Sequence, residues 1–496
     1  MSSRWVAPVL LSATALVALV AWRLPPIPDE AYYWTWSRAL AFHYLDHPPL
    51  IAWAIALETG ALGTSAPSLR AISLLCLVGS FLLSVDAARR RGGDEAAVIA
   101  GLLLLASPMF LIGLIPMTPD PLHALATALA AWLTVRAFDD RRPAWPLLLA
   151  LVLTLSVQVK HYAAFIAFGA LLGASLTVEG RKHLRAPAPW IGLLAGMVAA
   201  SPWIFAELSS GEASSASFQL TRVLSARPRG IAAVPLVLGS MLGTLGLYAA
   251  PAIILEAFSP KLPRRTPVDL VLGMGATALL LACFLAAFLG SGEANWPLPA
   301  LLFALPAVAA RAAEHPRALV CARWVGGVGT LCTFTLLAHA SFPFLPIDRS
   351  KDPTARGERF DRIAAVAQRE ADVAGAKAIV TRRYQFASLL RMHVDDRVPV
   401  LELGTPGGRK SQFDLWPKPV VCAGDVAVVA MASSSLPAEL AGELVRPPTR
   451  LERPGIDVWS ISVVRLTKDL SSGCPAASTS PETPVSRAKT GETPRG

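Results

Sequence analysis

Over the first two thirds of the chain, apolar residues come in blocks of about 20, separated by short polar stretches. A helix of about 20 apolar residues crosses the hydrocarbon core of a bilayer. The pattern predicts eleven spans, at 5–22, 66–88, 96–115, 121–138, 144–159, 163–179, 187–206, 231–257, 267–290, 297–312 and 324–342. The block from Trp5 to Trp22 runs straight into Arg23 and Pro25 with no small-residue cleavage pattern, so it reads as a retained first span. From about residue 343 the pattern changes. Phe360 to Ala376 has helical spacing with charges on one face, AKAIVTRRY and DVAVVAMAS read as short buried strands, and VWSISVVRL alternates as a strand. The Ser-rich stretch Ser209 to Gly230 reads as a mobile loop, and the chain after Cys474 as a disordered tail. The expected organisation is mainly α. A polytopic membrane module covers 1–342, with its first outer loop at 23–65; a small α/β domain covers 343–470, and the disordered tail 471–496.

Composition agrees with this reading: 53% of the 496 residues are hydrophobic and only 16% charged. The net charge of +10 does not mark a nucleic-acid binder, because the basic residues are scattered through short loops. The loops alternate. One set carries Arg89, Arg90 and Arg91, then Arg141 and Arg142, Arg181 and Lys182, Arg264 and Arg265, and Arg317 and Arg323. The other carries Asp29, Glu30, Asp46 and His47, then Asp120, Lys160, Glu207 and Glu293. The positive-inside rule puts the first set and Met1 in the cytoplasm. The second set and the α/β domain then lie in the periplasm, if the membrane is a bacterial inner membrane. Cys422 and Cys474 could pair as a disulfide there.

The chemistry concentrates in PIPDEAYYWTWSRALAFHYLDHPPLIAW, Pro26 to Trp53, where acids and histidines sit among aromatic residues. Ionisable groups beside a bilayer are costly unless solvated, paired or bound. Asp29 either caps the helix that follows PPIP or serves as a site acid; Glu30 lies beside it. In an interfacial helix, Tyr33, Trp36 and Leu40 would share an apolar face. Asp46-His47 is either a turn or a set of ligands for a divalent cation or a phosphate. Asp120 either caps a helix or serves as a second acid, and Lys160 either snorkels to the interface or contacts an anion.

Acids on the outer face have no access to nucleotide-activated donors. A transfer reaction there needs a donor that travels in the membrane, such as a lipid-linked sugar. A carboxylate would take the proton of the acceptor hydroxyl while a cation neutralises the departing lipid phosphate. A single base opposite the leaving group favours inversion. The reading from another class is a transporter or flippase of lipid-linked envelope precursors, which predicts ionisable groups near mid-membrane and broken helices.

Six segments carry a family resemblance: DEAYYWTWSRALAFHYLDHPPLIAW, TPDPLHALATALAAW, EANWPLPALL, KDPTARGERFDRIA, RRYQFASLL and RKSQFDLWP. In this order they resemble the bacterial family-39 type of GT-C glycosyltransferases, which includes protein mannosyltransferases and lipid A aminoarabinose and galacturonic acid transferases. The resemblance implies a GT-C helical bundle, a polyprenyl-phosphate-linked sugar donor, an acceptor that is an envelope glycan, lipid or protein, and no nucleotide cofactor. By position it implies that Asp29 is the catalytic acid and Asp120 the second acid. Glu30, His47, Lys160, Tyr162, Arg383, Tyr384 and Gln385 would bind substrate, and Asp46 with His47 would hold a divalent metal cation. Here His161 stands between Lys160 and Tyr162, and Ala206-Glu207 replaces the family's Trp-Asn.

Overall fold

The computed structural model describes residues 6–140, 142–226, 229–235, 238–239, 241, 266–404, 408–432, 436, 440–471 and 473–474. The expected span 231–257 and the expected tail lie mostly outside these residues. Among the described residues, four helices are long and apolar enough to cross a membrane, or up to six if each sharply bent helix pair counts as one span. The chain is thus a multi-pass membrane protein, and the count of eleven is not reproduced by length and composition. One reason is visible at Ala71–Leu105, a single 35-residue helical stretch that breaks at Gly92 and Gly93. Gly101 faces Phe81 and Val85 across the break, so the two halves fold back as a hairpin. Gly93, with φ +73°, makes the reversal at no steric cost. The two spans expected on either side of Arg89–Arg91 are the two arms of this hairpin.

The first long helix, Val6–Arg23, is followed after a 70° bend by the short helix Pro28–Ser37. Pro28 suits the first helical position, since its missing N–H would have had no intrahelical partner. The backbone N–H of Ile27 donates to Glu30 Oε2 at 3.0 Å, so the capping carboxylate is Glu30 and not Asp29. The aromatic face of this helix meets protein instead of lipid. Trp36 is fully buried and stacks on Tyr44 with ring centroids 4.4 Å apart. Leu40 lies beyond the helix and is exposed. The Ser-rich stretch contains the helix Ser215–Leu224, capped by Ser214.

The C-terminal region is a mixed sheet of six strands: β1 (Ala378–Thr381), β2 (Val400–Glu402), β3 (Val426–Met431), β4 (Gly442–Leu444), β5 (Thr449–Arg453) and β6 (Asp457–Leu466). The order is β2-β1-β3-β6-β4, with β5 also paired to β6. β2, β1 and β3 run parallel, and the helix Tyr384–His393 makes the β1-to-β2 crossover. The short apolar runs of β1 and β3 are almost wholly buried, as parallel central strands are. Cys422 and Cys474 are joined as a disulfide. One hydrophobic cluster spans both regions. It joins Tyr32, Trp36 and Tyr44 of the first outer loop to Phe360, Leu390, Phe413 and Trp459. The sheet region is therefore docked on the residues that carry the candidate chemistry.

Candidate active site

Of the acids Asp29, Glu30, Asp46 and Asp120, three are paired with a cation and Asp29 is open. Glu30 is fully buried. Arg70 grips it with two bonds, Nε to Oε1 at 2.8 Å and Nη2 to Oε2 at 2.6 Å, and the N–H of Met117 donates to Oε1 at 3.0 Å. Arg70 also donates to the carbonyls of Ala21, Leu24 and Pro25. The pair clamps the end of the first long helix to the chain before Pro119. Glu30 thus has its carboxylate engaged by Arg70 and two backbone N–H groups.

Asp46 is 1% exposed. The Tyr32 hydroxyl donates to its Oδ2 at 2.6 Å, and Arg409 pairs with its Oδ1. Tyr32 in turn accepts from the N–H of Gln412 at 2.7 Å. Asp46 therefore fastens the first outer loop to the segment after β2. His47 is held neutral, because burial pushes its pKa well below the ordinary value and Lys160, His161 and Arg222 push the same way. Asp46-His47 does not fit the expected metal centre, since both Asp46 oxygens are committed. Among the described residues, the only grouping with metal-ligand spacing is Cys422, Asp469 and Cys474, whose thiols form the disulfide.

Asp120 is 8% exposed and follows Thr118, which caps the helix Pro119–Asp139. Lys160 Nζ donates to its Oδ1 at 2.7 Å and Asn295 Nδ2 to its Oδ2 at 2.8 Å. Three outer loops meet in this triad. Lys160, only 3% exposed, is thus a partner of Asp120. Asp120 ties the loops of Lys160 and Asn295 together. Tyr162 lies below Lys160 and packs edge-on against His123, with its hydroxyl buried and without a hydrogen-bond partner.

Asp29 differs from all of these. Its residue surface is open, and its carboxylate accepts no hydrogen bond from the described residues. Although that surface is open, the surrounding protein still desolvates the carboxylate. Burial raises the Asp29 pKa above its ordinary value; Arg356 and Arg409 oppose the rise, and the charges of Glu293 and Asp120 add to it. A carboxylate poised in this way is a stronger base than one in water.

Both guanidiniums at Asp29 come from the C-terminal region. Arg356 follows a loop tied by Asp352 to Arg349 and His339, and its carbonyl accepts from Arg453. The next residue, Gly357, sits so close to the first outer loop that a Cβ would lie 2.0 Å from the carbonyl oxygen of Pro26. That contact sets Arg356 beside the helix that carries Asp29. Arg409 bridges Asp46 and the Tyr384 hydroxyl, the latter at 3.1 Å, and lies over the rings of Phe218 and Tyr384. Tyr384 also packs on Tyr32 with centroids 4.5 Å apart and feels the charge of Asp29. Of the motif Arg383-Tyr384-Gln385, only Tyr384 is tied into this network. Arg383 lies over Phe386, and Gln385 has no side-chain partner among the described residues. Arg356 and Arg409 were not singled out from the sequence, although both lie inside resembling segments, KDPTARGERFDRIA and RKSQFDLWP.

Comparison with known proteins follows the same lines. Residues 46–205 match the family described as dolichyl-phosphate-mannose-protein mannosyltransferase. The lipid A galacturonosyltransferase RgtD of Rhizobium johnstonii is 25% identical over 158 residues, which make up 32% of this chain and 33% of that protein. The match thus spans about a third of that relative's length. Among solved structures, ArnT from Cupriavidus metallidurans bound to undecaprenyl phosphate superposes with a TM-score of 0.66 at 16% identity, covering 93% of this chain and 98% of that one. Its apo state gives 0.63 at 17% identity, with the same coverage. The chain has the GT-C fold of that protein, and both sequence matches are described as sugar transferases.

Proposed function

We propose that this chain, built on the GT-C fold, is a membrane glycosyltransferase that uses a polyprenyl-phosphate-linked sugar. The observation that carries the reading is the open carboxylate of Asp29, facing two guanidiniums while Glu30, Asp46 and Asp120 are each paired with a cation. Asp29 takes the proton of an acceptor hydroxyl as that oxygen attacks the anomeric carbon. The bond from the anomeric carbon to the phosphate oxygen breaks on the opposite side, and the configuration inverts. The polyprenyl phosphate leaves with the bonding electrons, and Arg356 and Arg409 neutralise its developing charge. No step runs through a metal.

A cavity of about 400 Å³ with mainly apolar walls at Met241, Cys283, Ala287 and Trp296 also touches Glu293, one of the charges felt at Asp29. Such a cavity suits the first isoprene units of a lipid donor. The solved structure of ArnT with undecaprenyl phosphate and the lipid A transferase relative support a lipid donor and an envelope acceptor, either lipid A, another glycan or a protein. The reading places the site on the periplasmic side of a bacterial inner membrane, with the N-terminus in the cytoplasm.

The test uses purified full-length chain with labelled polyprenyl-phosphate sugars and envelope extract as acceptor. Wild type should release polyprenyl phosphate and label the acceptor, and Asp29→Asn should do neither. Full transfer by Asp29→Asn, or no consumption of any such donor by wild type, would overturn the proposal.

A further inference from the structure

Against the edge strand β2 of the sheet lies an open pocket of about 350 Å³. Its volume falls at the lower end of small-molecule sites, roughly 300–1,000 Å³. Three elements form it: the end of β2 at Glu402, the helix Tyr384–His393 at Arg391, and the segment from Phe413 to Pro419 with Trp416 and Lys418. Nothing in the proposed transfer reaction uses these residues.

The polar groups of this pocket are unfinished. Glu402 is 5% exposed, and its Oε2 is buried with no hydrogen-bond partner among the described residues. Buried acceptors are almost always satisfied, so a lone one inside a pocket calls for a donor from outside. Burial raises the Glu402 pKa and the charge of Asp414 adds to it, while a backbone hydrogen bond from Gly404 and the charge of Lys418 oppose. Arg391 lies 5.8 Å from the ring centroids of both Phe413 and Trp416 and makes no hydrogen bond among the described residues. Lys418 is exposed at the rim. The pocket thus offers one buried acceptor, two cationic donors and an indole edge.

A ligand that matches must donate to Glu402, accept from Arg391 and Lys418, and present an apolar patch to Trp416. A pyranose ring has hydroxyls that both donate and accept, and C–H groups on one face. A peptide added as a further strand on β2 fits less well. Pro399, Pro417 and Pro419 line the same pocket and supply no backbone donors. We infer that the pocket is a second carbohydrate subsite, which holds one sugar ring of a glycan while transfer takes place at Asp29. Its role in transfer rests on the glycosyltransferase reading, but sugar binding does not. Phe413 connects the two places: it stacks on Tyr32, and the carboxamide of its neighbour Gln412 accepts from the N–H of Leu45 at 2.8 Å, beside Asp46.

The test is saturation-transfer difference NMR on the purified full chain in detergent, with glucose, glucosamine and glucosamine 6-phosphate as probes. At least one should bind at millimolar affinity. Glu402→Ala and Trp416→Ala should each weaken that binding roughly fivefold to tenfold, the scale of one lost hydrogen bond or ring contact. Asp29→Asn should leave it intact. If Glu402→Ala does not fold, Lys418→Ala at the exposed rim takes its place with the same expected direction. Absence of binding by all three hexoses, or binding unchanged in the pocket variants, overturns the subsite. Hexose binding alongside absent transfer by wild type overturns the transferase reading alone.

Discussion

Asp29 and Glu30 are consecutive acids on one turn of helix, yet they belong to two regions of opposite character. Glu30 faces inward to a closed charge clamp, where Arg70 and two backbone N–H groups take up its lone pairs. Asp29 is crowded but unbonded, opposite guanidiniums that arrive from residues more than 300 positions away. The difference teaches that an acid in an unusual setting is not by itself a chemical group. Glu30, Asp46 and Asp120 are at least as deeply set as Asp29, but each has its charge cancelled by a bonded partner. A satisfied buried acid holds the protein together, whereas an unsatisfied accessible one is free to act.

Asp29→Asn should break the open side. Transfer should fall about 10²- to 10⁴-fold, the usual contribution of a positioned base. Stability should not fall with it. An acid with a raised folded-state pKa binds its proton more tightly when folded, so it costs stability as pH rises through that pKa and above. The unfolding midpoint of Asp29→Asn at neutral pH should therefore equal or exceed that of wild type, as thermal scans in detergent would show.

The closed side should respond in reverse. Arg70→Met strands a buried carboxylate, and breaking a buried pair costs about 3–5 kcal/mol. Expression and unfolding midpoint should drop sharply. The double variant Glu30→Leu/Arg70→Met should recover much of the loss, because no charge is then left unpaired. A double variant no better than Arg70→Met would contradict the clamp.

Arg356→Ala tests the cationic groups at Asp29. Arg356 is exposed, forms no side-chain ion pair among the described residues and acts on Asp29 through its charge, so kcat should fall about 100-fold, as for loss of one charge-stabilising donor, with stability unchanged. Arg356→Lys should restore part of the rate. The smallest effect belongs to Gly357→Ala. The new Cβ must push the loop off Pro26, at a cost of about 1–3 kcal/mol typical of overpacking, and should lower both rate and midpoint modestly.

Much of the fold was legible in the sequence, for physical reasons. Membrane helices announce themselves by length and apolarity, and the helix at Phe360–Ala374 and strands β1, β3 and β6 follow their periodicities. What local pattern could not show was partnership. Arg70 reads as one basic residue near the start of the expected span 66–88, and nothing nearby points to Glu30 forty residues earlier. Lys160 reads as an anion contact until the fold brings Asp120 to it. The aromatics around Trp36 look like an interfacial belt, because burial against lipid and burial against Phe413 or Trp459 have the same composition. Arg356 and Arg409 lie in the resembling segments, but local pattern does not separate them from the other basic residues there.

The central claim is that Asp29 is the base and that its own ionisation limits the rate in acid. The direct measurement is the pH dependence of kcat/KM for wild type and for Asp29→Asn with one polyprenyl-phosphate sugar. Wild-type activity should fall as pH drops through a pKa above the ordinary aspartate value of 3.8. The residual activity of Asp29→Asn should lack that limb. An Asp29→Asn profile with the same acid limb, or with the wild-type rate, would contradict the account.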